Sequence, residues 1–284
     1  MAIRAEMISW AWILAAPLRW YIRHFPINRG KGYIVRYLLM PLLPGDGTFV
    51  ATVDETVRIR LRYRESLGAS VLCLGGFEEA ELECMMKAAR PGDVVCDVGA
   101  NVGFYTVALA HAVGPRGRVF AFEPLSENVE RLEENIKLNG FRNVTVHGCA
   151  LGERDGIATF CTAEDGAYGG TAVTPRRGVV GRSICTPSTL VHAITETKVP
   201  IRKLDSVWNE SGRPRIRAIK IDVEGAETSA LLGARQVLNA SKPLLLVEVD
   251  THAARDRLSA MLTPLGYRLI KPRGFAPWNW VFAA

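Results

Sequence analysis

The sequence predicts an α/β protein built on a doubly wound, mostly parallel sheet. Three observations predict it. From Asp93 onward, short apolar runs alternate with runs of helical spacing, a pattern that implies parallel strands joined by right-handed helical crossovers. The first apolar run, DVVCDVG (Asp93–Gly99), enters a turn with glycines at 99 and 103 and then a new apolar pattern. The last two strand-like runs, YRLIKP (Tyr267–Pro272) and NWVFAA (Asn279–Ala284), have no helix between them, so they suit an edge hairpin with one antiparallel edge strand.

The elements follow in order. DVVCDVG reads as a short buried strand, and NVGFYTVALAHAVG (Asn101–Gly114) as a helix stopped by Gly114-Pro115. GRVFAFEP (Gly117–Pro124) is a second strand. LSENVERLEENIKLNG (Leu125–Gly140) is an amphipathic helix with Leu125, Val129, Leu132 and Ile136 on one face. NVTVHGCA (Asn143–Ala150), RAIKIDVEG (Arg217–Gly225) and PLLLVEV (Pro243–Val249) are the third, fourth and fifth strands. AETSALLGARQVLN (Ala226–Asn239) and THAARDRLSAMLTPLG (Thr251–Gly266) read as one helix each. Residues 151–215 break the alternation. There GIATFCTA (Gly156–Ala163) and KVPIRKLDSV (Lys198–Val207) look like strands around a Gly- and Thr-rich stretch, an insertion of hairpins expected near the mouth of the site. Residues 45–75 look like a small β-rich lead-in. Within it, TVRIRLRYR (Thr56–Arg64) puts Arg58, Arg60, Arg62 and Arg64 on one face, either a solvated face or an anion-facing patch.

The chain has 284 residues, 48% of them hydrophobic, ample for one sizeable core with an appended subdomain. The expected organisation is an N-terminal arm over 1–45 and one domain over 46–284, with the insertion at about 152–212. Cysteines at 73, 84, 96, 149, 161 and 185 form no Cys-x-x-Cys pair, so no metal is expected and the thiols read as reduced, in a cytoplasmic protein. Net charge is +6, and the arm holds most of it (Arg4, Arg19, Arg23, Arg29, Lys31 and Arg36 against Glu6). A basic cleft for nucleic acid is therefore not expected. The stretch MISWAWILAAPLRWYIRHF (Met7–Phe25) is too short before Arg19 to span a bilayer. Three readings stay open for it: a helix packed on the domain, an aromatic and basic segment on a membrane surface or over a lipid-like substrate, or a signal or anchor segment.

The glycine turn carries the chemistry. Ligands of doubly wound sheets bind beyond the carboxyl ends of the strands, at the switch point. Gly99 and Gly103 permit a tight turn and close approach of a ligand, and the helix start after them offers N–H groups to a carboxylate. A dinucleotide fingerprint needs glycine at 101 and 104, where this chain has Asn101 and Phe104. The turn therefore suits a nucleoside-like ligand without a pyrophosphate. Glu123 ends the second strand 24 residues after Gly99, near the offset of an acid that chelates a ribose diol. S-adenosylmethionine fits this set: ribose at Glu123, adenine near His147–Leu151, carboxylate at the turn and ammonium near Asp97. In IKIDVEGAE (Ile219–Glu227), Lys220, Asp222 and Glu224 alternate, so a strand would put them on one face. They read either as a Lys–Asp structural pair or as two carboxylates facing a sulfonium and a substrate hydroxyl.

Together with FEEAE (Phe77–Glu81), NVTVHGCALGE (Asn143–Glu153), VPIRKLDSV (Val199–Val207) and LLLVEV (Leu244–Val249), these motifs resemble the FkbM-type methyltransferase family over roughly residues 75–250. The resemblance implies a class I Rossmann-like fold, S-adenosyl-L-methionine as donor, and O-methylation of a sugar, glycan or natural-product hydroxyl. It also implies Asp97, Gly99, Ala100, Asn101, Gly103, Thr106, Glu123, Cys149, Ala150 and Leu151 as cofactor residues, and Asp222 and Glu224 as active-site residues. The expected acceptor is a small molecule or glycan, with a lipid-linked sugar kept open by the arm. GTAV (Gly170–Val173) stands where a serine pair often occurs in the family, which leaves that loop's role open. Asp222 is the expected general base, with Glu248 as runner-up and His147 and His192 behind it. A nicotinamide-dependent oxidoreductase and a non-catalytic cofactor-binding scaffold remain as rival classes.

Overall fold

The computed structural model describes residues 4–6, 17, 20–21, 47–54, 56–62, 65–165, 171–175, 191–249 and 251–284, with backbone alone at 4–6, 74, 161–165, 171–175 and 191–195. Apart from Pro17, Trp20 and Tyr21, the segment Met7–Phe25 lies outside the described residues, as do Arg64 and the side chains of Cys161, Cys185, His192 and 170–173. The chain divides into two compact units: Met1–Glu79 with Ala163–Ala172 and Arg182–Thr195, and Ala80–Thr162 with Val173–Gly181 and Glu196–Ala284.

In the first unit β1 (Arg4–Glu6), β2 (Thr48–Val53) and β3 (Val57–Arg62) form an antiparallel sheet in that order. The period-2 pattern of Thr56–Arg64 holds where it is described. Val57, Ile59 and Leu61 are buried, while Arg58 and Arg60 are exposed. The sheet leads into a short helix α1 (Ser66–Ala69) and a π-helical turn, Ser70–Leu74, which the β-rich reading of this stretch did not anticipate.

The second unit opens with α2 (Glu79–Ala88). A seven-stranded sheet follows, built from β4 (Val94–Val98), β5 (Arg118–Phe122), β6 (Val144–His147), β11 (Ile216–Ile221), β12 (Leu244–Glu248), β13 (Arg268–Ile270) and β14 (Asn279–Ala283). Its order is β13-β14-β12-β11-β4-β5-β6. All pairings from β12 to β6 are parallel. The single antiparallel strand is β14, next to the edge; the edge strand β13 lies outside it because the hairpin folds outward from β12. The crossover helices are α3 (Phe104–Val113), α4 (Ser126–Leu138), α5 (Leu204–Glu210), α6 (Glu227–Leu232), α7 (Arg235–Ser241) and α8 (His252–Leu262). Helix α3 has eight buried residues out of ten, as a helix that is apolar all round requires. Helix α4 has one apolar stripe, and its Leu132 packs with Ala100 and Ala121. The main core joins β4, β5, β11 and β12 to α5, α6, α7 and α8 through residues such as Cys96, Phe120, Trp208, Ile219, Leu231, Val237, Leu245 and Leu258.

Three elements differ from the sequence reading. Asn143–Ala150 is not one strand: β6 stops at His147, and Ala150–Leu151 (β7) pairs with β10 (Val191–Arg202) in a second sheet of order β7-β10-β8-β9, with β8 Gly156–Asp165 and β9 Thr171–Pro175. Lys198–Val207 is strand only to Arg202 and then helix. Ala226–Asn239 is two helices. The buried Asp205 carboxylate accepts the N–H groups of Gln236 (3.0 Å) and Val237 (3.1 Å) and so caps a new helix start. A cap supplied from 31 residues away cannot be read from local periodicity.

Candidate active site

The chain reverses direction across the sheet between β4 and β11. It runs outward from β4 through β5 and β6, then returns to the other side of β4. The carboxyl ends of β4 and β11 thus flank the switch point. Asp97 and Lys220 are direct register partners there, and the Asp222 N–H donates to Val98 O at 3.0 Å.

The glycine turn is narrow because protein sits against it. Gly99 has φ +81°, and a Cβ on it would lie 1.8 Å from the carbonyl oxygen of Asp222. Gly103 has φ +95°, and a Cβ there would lie 2.5 Å from Leu132 Cδ1. The expected positive φ holds at both glycines, and protein atoms stand where a Cβ would go. Gly99 lets the β4 turn meet the end of β11, and Gly103 lets α3 meet α4, while both adopt backbone that L-residues rarely visit. Asn101, between them, is also left-handed (φ 51°), which asparagine tolerates. Gly99 and Ala100 both donate to Phe122 O, at 2.9 and 3.0 Å, so the turn is pinned to the end of β5.

Glu123 stands just after β5, buried. Its Oε2 accepts the Asn101 N–H at 2.8 Å, while its Oε1 accepts the Leu125 N–H at 3.0 Å and the Asn128 amide at 3.3 Å. Burial raises its pKa and these donors oppose the rise. A carboxylate has about four lone-pair sites, so this one is aimed by the turn and keeps acceptor capacity. Asn128 gave no signal in the sequence; only the start of α4 brings it back to Glu123.

Asp97 is fully buried. Its Oδ2 accepts the Thr106 hydroxyl at 2.6 Å, and its Oδ1 is buried with no hydrogen-bond partner among the described residues. Burial pushes its pKa up, while the Lys220 ammonium and the Thr106 hydroxyl pull it down. Lys220 is buried as well, its Nζ 2.9 Å from Asp222 Oδ2 and 4.6 Å from the centre of the Tyr105 ring. Asp222 keeps 27% of its side chain exposed. The Lys–Asp pair is therefore real, and it leaves the Asp222 carboxylate accessible.

The face expected to be shared by Lys220, Asp222 and Glu224 ends with the strand: β11 stops at Ile221, and Glu224 occupies a turn with φ 49°, exposed to solvent. The buried acid of this motif is Glu227, whose Oε1 accepts the Gly225 N–H at 2.7 Å and ties the turn to the start of α6. Cys149 and Leu151 are buried and Ala150 is half-buried. Burial lifts the Cys149 thiol to about 11. His147 stacks on Phe122 with ring centres 4.8 Å apart, its Nε2 is buried without a hydrogen-bond partner among the described residues, and burial lowers its pKa.

The sequence profile described as the methyltransferase FkbM domain matches residues 97–269, more than half of the chain. The chain belongs to that family. Among curated relatives it is 32% identical to the AMB antimetabolite synthetase AmbE of Pseudomonas aeruginosa, over 65% of this chain and 10% of that protein. It is 28% identical to the 31-O-demethyl-FK506 methyltransferase FkbM of Streptomyces tacrolimicus (64% of this chain, 75% of that one). It is 26% identical to the hexuronic acid methyltransferase AglP of Haloferax volcanii (63% and 64%). The chain thus spans a tenth of the length of the synthetase and between 64% and 75% of the other two. No helix among the described residues is long and apolar enough to cross a membrane.

Proposed function

We propose that this chain is an S-adenosyl-L-methionine-dependent O-methyltransferase acting on a hydroxyl of a sugar, glycan or related natural product, with Asp222 as general base. The observation that carries the reading is the position of Asp222: its carbonyl oxygen abuts Gly99 at the switch point, and its carboxylate is held by Lys220 yet partly exposed. Family membership supports the donor, and AglP and FkbM, named for hexuronic acid and for 31-O-demethyl-FK506, support the acceptor class.

The residues present fit the donor. The partnerless, buried Asp97 Oδ1 suits an ammonium, Glu123 suits a ribose diol, and the Phe122–His147 stack beside Cys149–Leu151 suits an adenine wall. Asn101 in place of a middle glycine argues against a pyrophosphate and so against a nicotinamide cofactor. When bound, the donor supplies an electrophilic methyl group on a good leaving group. The chain supplies alignment and a proton acceptor. Lys220 holds the Asp222 carboxylate in one orientation, with Nζ 2.9 Å from Oδ2, so that the partly exposed carboxylate can be presented to the hydroxyl proton. Glu224, in its exposed turn, would meet the acceptor rather than the donor.

The test is radiolabelled methyl transfer into fractionated glycan, lipid-linked sugar and natural-product pools, with wild type and Asp222→Asn compared. Labelled product with wild type and none with a donor-binding Asp222→Asn protein is expected. Equal labelling by the two proteins overturns the assignment of the base, and absence of donor binding by wild type overturns the whole reading.

A further inference from the structure

A cleft of about 350 Å³ opens at the opposite, amino-terminal end of the same two strands, lined by Arg90, Gly92, Asp93, Val94, Arg215 and Arg217. Its walls come from the turn before β4 and the entry to β11. The register between β11 and β4 slips there: Ile216 faces Val94 and Ala218 faces Val95, so Arg217 is an extra, bulged residue. A bulge re-aims a side chain that a regular ladder would bury or point elsewhere. Arg217 Nε donates to Ala88 O at the end of α2 (3.3 Å), which anchors the base of the cleft and leaves the outer guanidinium nitrogens for another partner. The Arg90 and Arg215 guanidiniums are exposed and have no hydrogen-bond or ion-pair partner among the described residues. The single acid, Asp93, is turned on the backbone, accepting the Arg90 N–H at 2.9 Å.

We infer that this cleft binds a phosphomonoester dianion, at a site separate from the candidate active site. Three guanidinium charges against one carboxylate leave the cleft two charges positive, which matches a phosphomonoester near neutral pH, whose second pKa is about 6. Guanidiniums present paired donors in the planar fork that suits phosphate oxygens. The cleft is at the small end of ligand pockets, so it takes a compact head group rather than a length of polymer. Helix-dipole compensation at the end of α2 accounts for the Arg217 contact; it gives no role to the Arg90 and Arg215 side chains, which make no bond among the described residues. The phosphate could be a soluble metabolite's or a lipid head group's, since the chemistry of recognition is the same.

The experiment uses the full chain saturated with S-adenosylhomocysteine, so that anion binding at the glycine turn is blocked. Inorganic phosphate is titrated by calorimetry, and phosphatidic acid vesicles by co-sedimentation against phosphatidylcholine controls. Wild type is compared with Arg90→Gln/Arg215→Gln, whose exposed, unbonded side chains are dispensable for folding, with melting temperature and S-adenosylhomocysteine affinity as checks. Saturable phosphate binding, weakened at least tenfold in the double variant, is expected. Sedimentation with phosphatidic acid that is competed by phosphate and lost in the variant identifies a lipid source; phosphate binding without sedimentation identifies a soluble one. Absence of saturable binding in both arms, or binding unchanged in the variant, overturns the inference. The site does not depend on the methyltransferase reading, because a wild type with no methyl transfer can still bind phosphate here.

Discussion

Strands β4 and β11 carry opposite chemistry at their two ends. At the carboxyl ends, Asp97, Lys220 and Asp222 are packed into the protein, cross-linked by short contacts, and one carboxylate oxygen is left buried and unpartnered among the described residues. At the amino ends, three arginines line an open cleft with one acid among them, and two of the three make no side-chain bond among the described residues. Burial makes the difference. A buried charge must be paired or used, so at the carboxyl ends Asp97 lies opposite the Lys220 ammonium and takes the Thr106 hydroxyl. An exposed guanidinium costs little unpaired, so at the amino ends only the bulge, the cleft and the charge balance argue for a ligand.

The comparison breaks most sharply at Asp222. Replacing it by asparagine should lower kcat/KM by about 10²–10⁴-fold, the usual contribution of a general base, while donor affinity measured by calorimetry stays within about threefold. The Arg90→Gln/Arg215→Gln protein should show no such loss with a small acceptor. Next comes Gly99→Ala. Its Cβ would overlap the Asp222 carbonyl, and overpacking of a fixed backbone costs about 1–3 kcal/mol or more, read as a lower denaturation midpoint together with weaker donor binding. Asp205→Ala should cost about 1–2 kcal/mol through loss of the α7 cap, with little change in KM for the donor, since it lies away from the glycine turn. Lys220→Met sharpens the mechanism: without the ammonium that fixes the Asp222 carboxylate, kcat should fall, by less than in Asp222→Asn, in the same methyl-transfer assay.

The smallest effect concerns His147. Burial lowers its pKa in the folded state, so below the ordinary histidine value of about 6.5 the unfolded chain binds more protons than the folded one. Its contribution to stability is therefore fully present above that pH and declines as pH falls through it. Urea midpoints between pH 5 and 8 should show this decline in wild type and a flatter profile in His147→Phe.

The site was partly legible because its motifs are local. DVVCDVGANVG announces a strand, a turn and a helix start within eleven residues, and FEP marks the end of the next strand. The shared face did not extend to Glu224 because alternation along IKIDVEG says nothing about where the strand stops; β11 stops at Ile221, and a left-handed pair, Glu224 and Gly225, follows in the turn. The split of Ala226–Asn239 was hidden for a related reason, as its cap comes from Asp205.

What the amino-acid order determined by itself was the layer pattern, the place of the glycine turn, and the identity of the acids near it, because hydrophobic period and turn chemistry act over a few residues. What only the tertiary structure decided was which atoms those residues meet. Gly99 is required by the Asp222 carbonyl, Asp97 faces Lys220 across a strand pair, Glu123 is aimed by Asn101 and Asn128, and Arg217 bulges into a cleft with Arg90. Each of these pairs joins residues far apart in the chain or on separate elements. Contact between them is fixed by strand order and register, which no local pattern encodes.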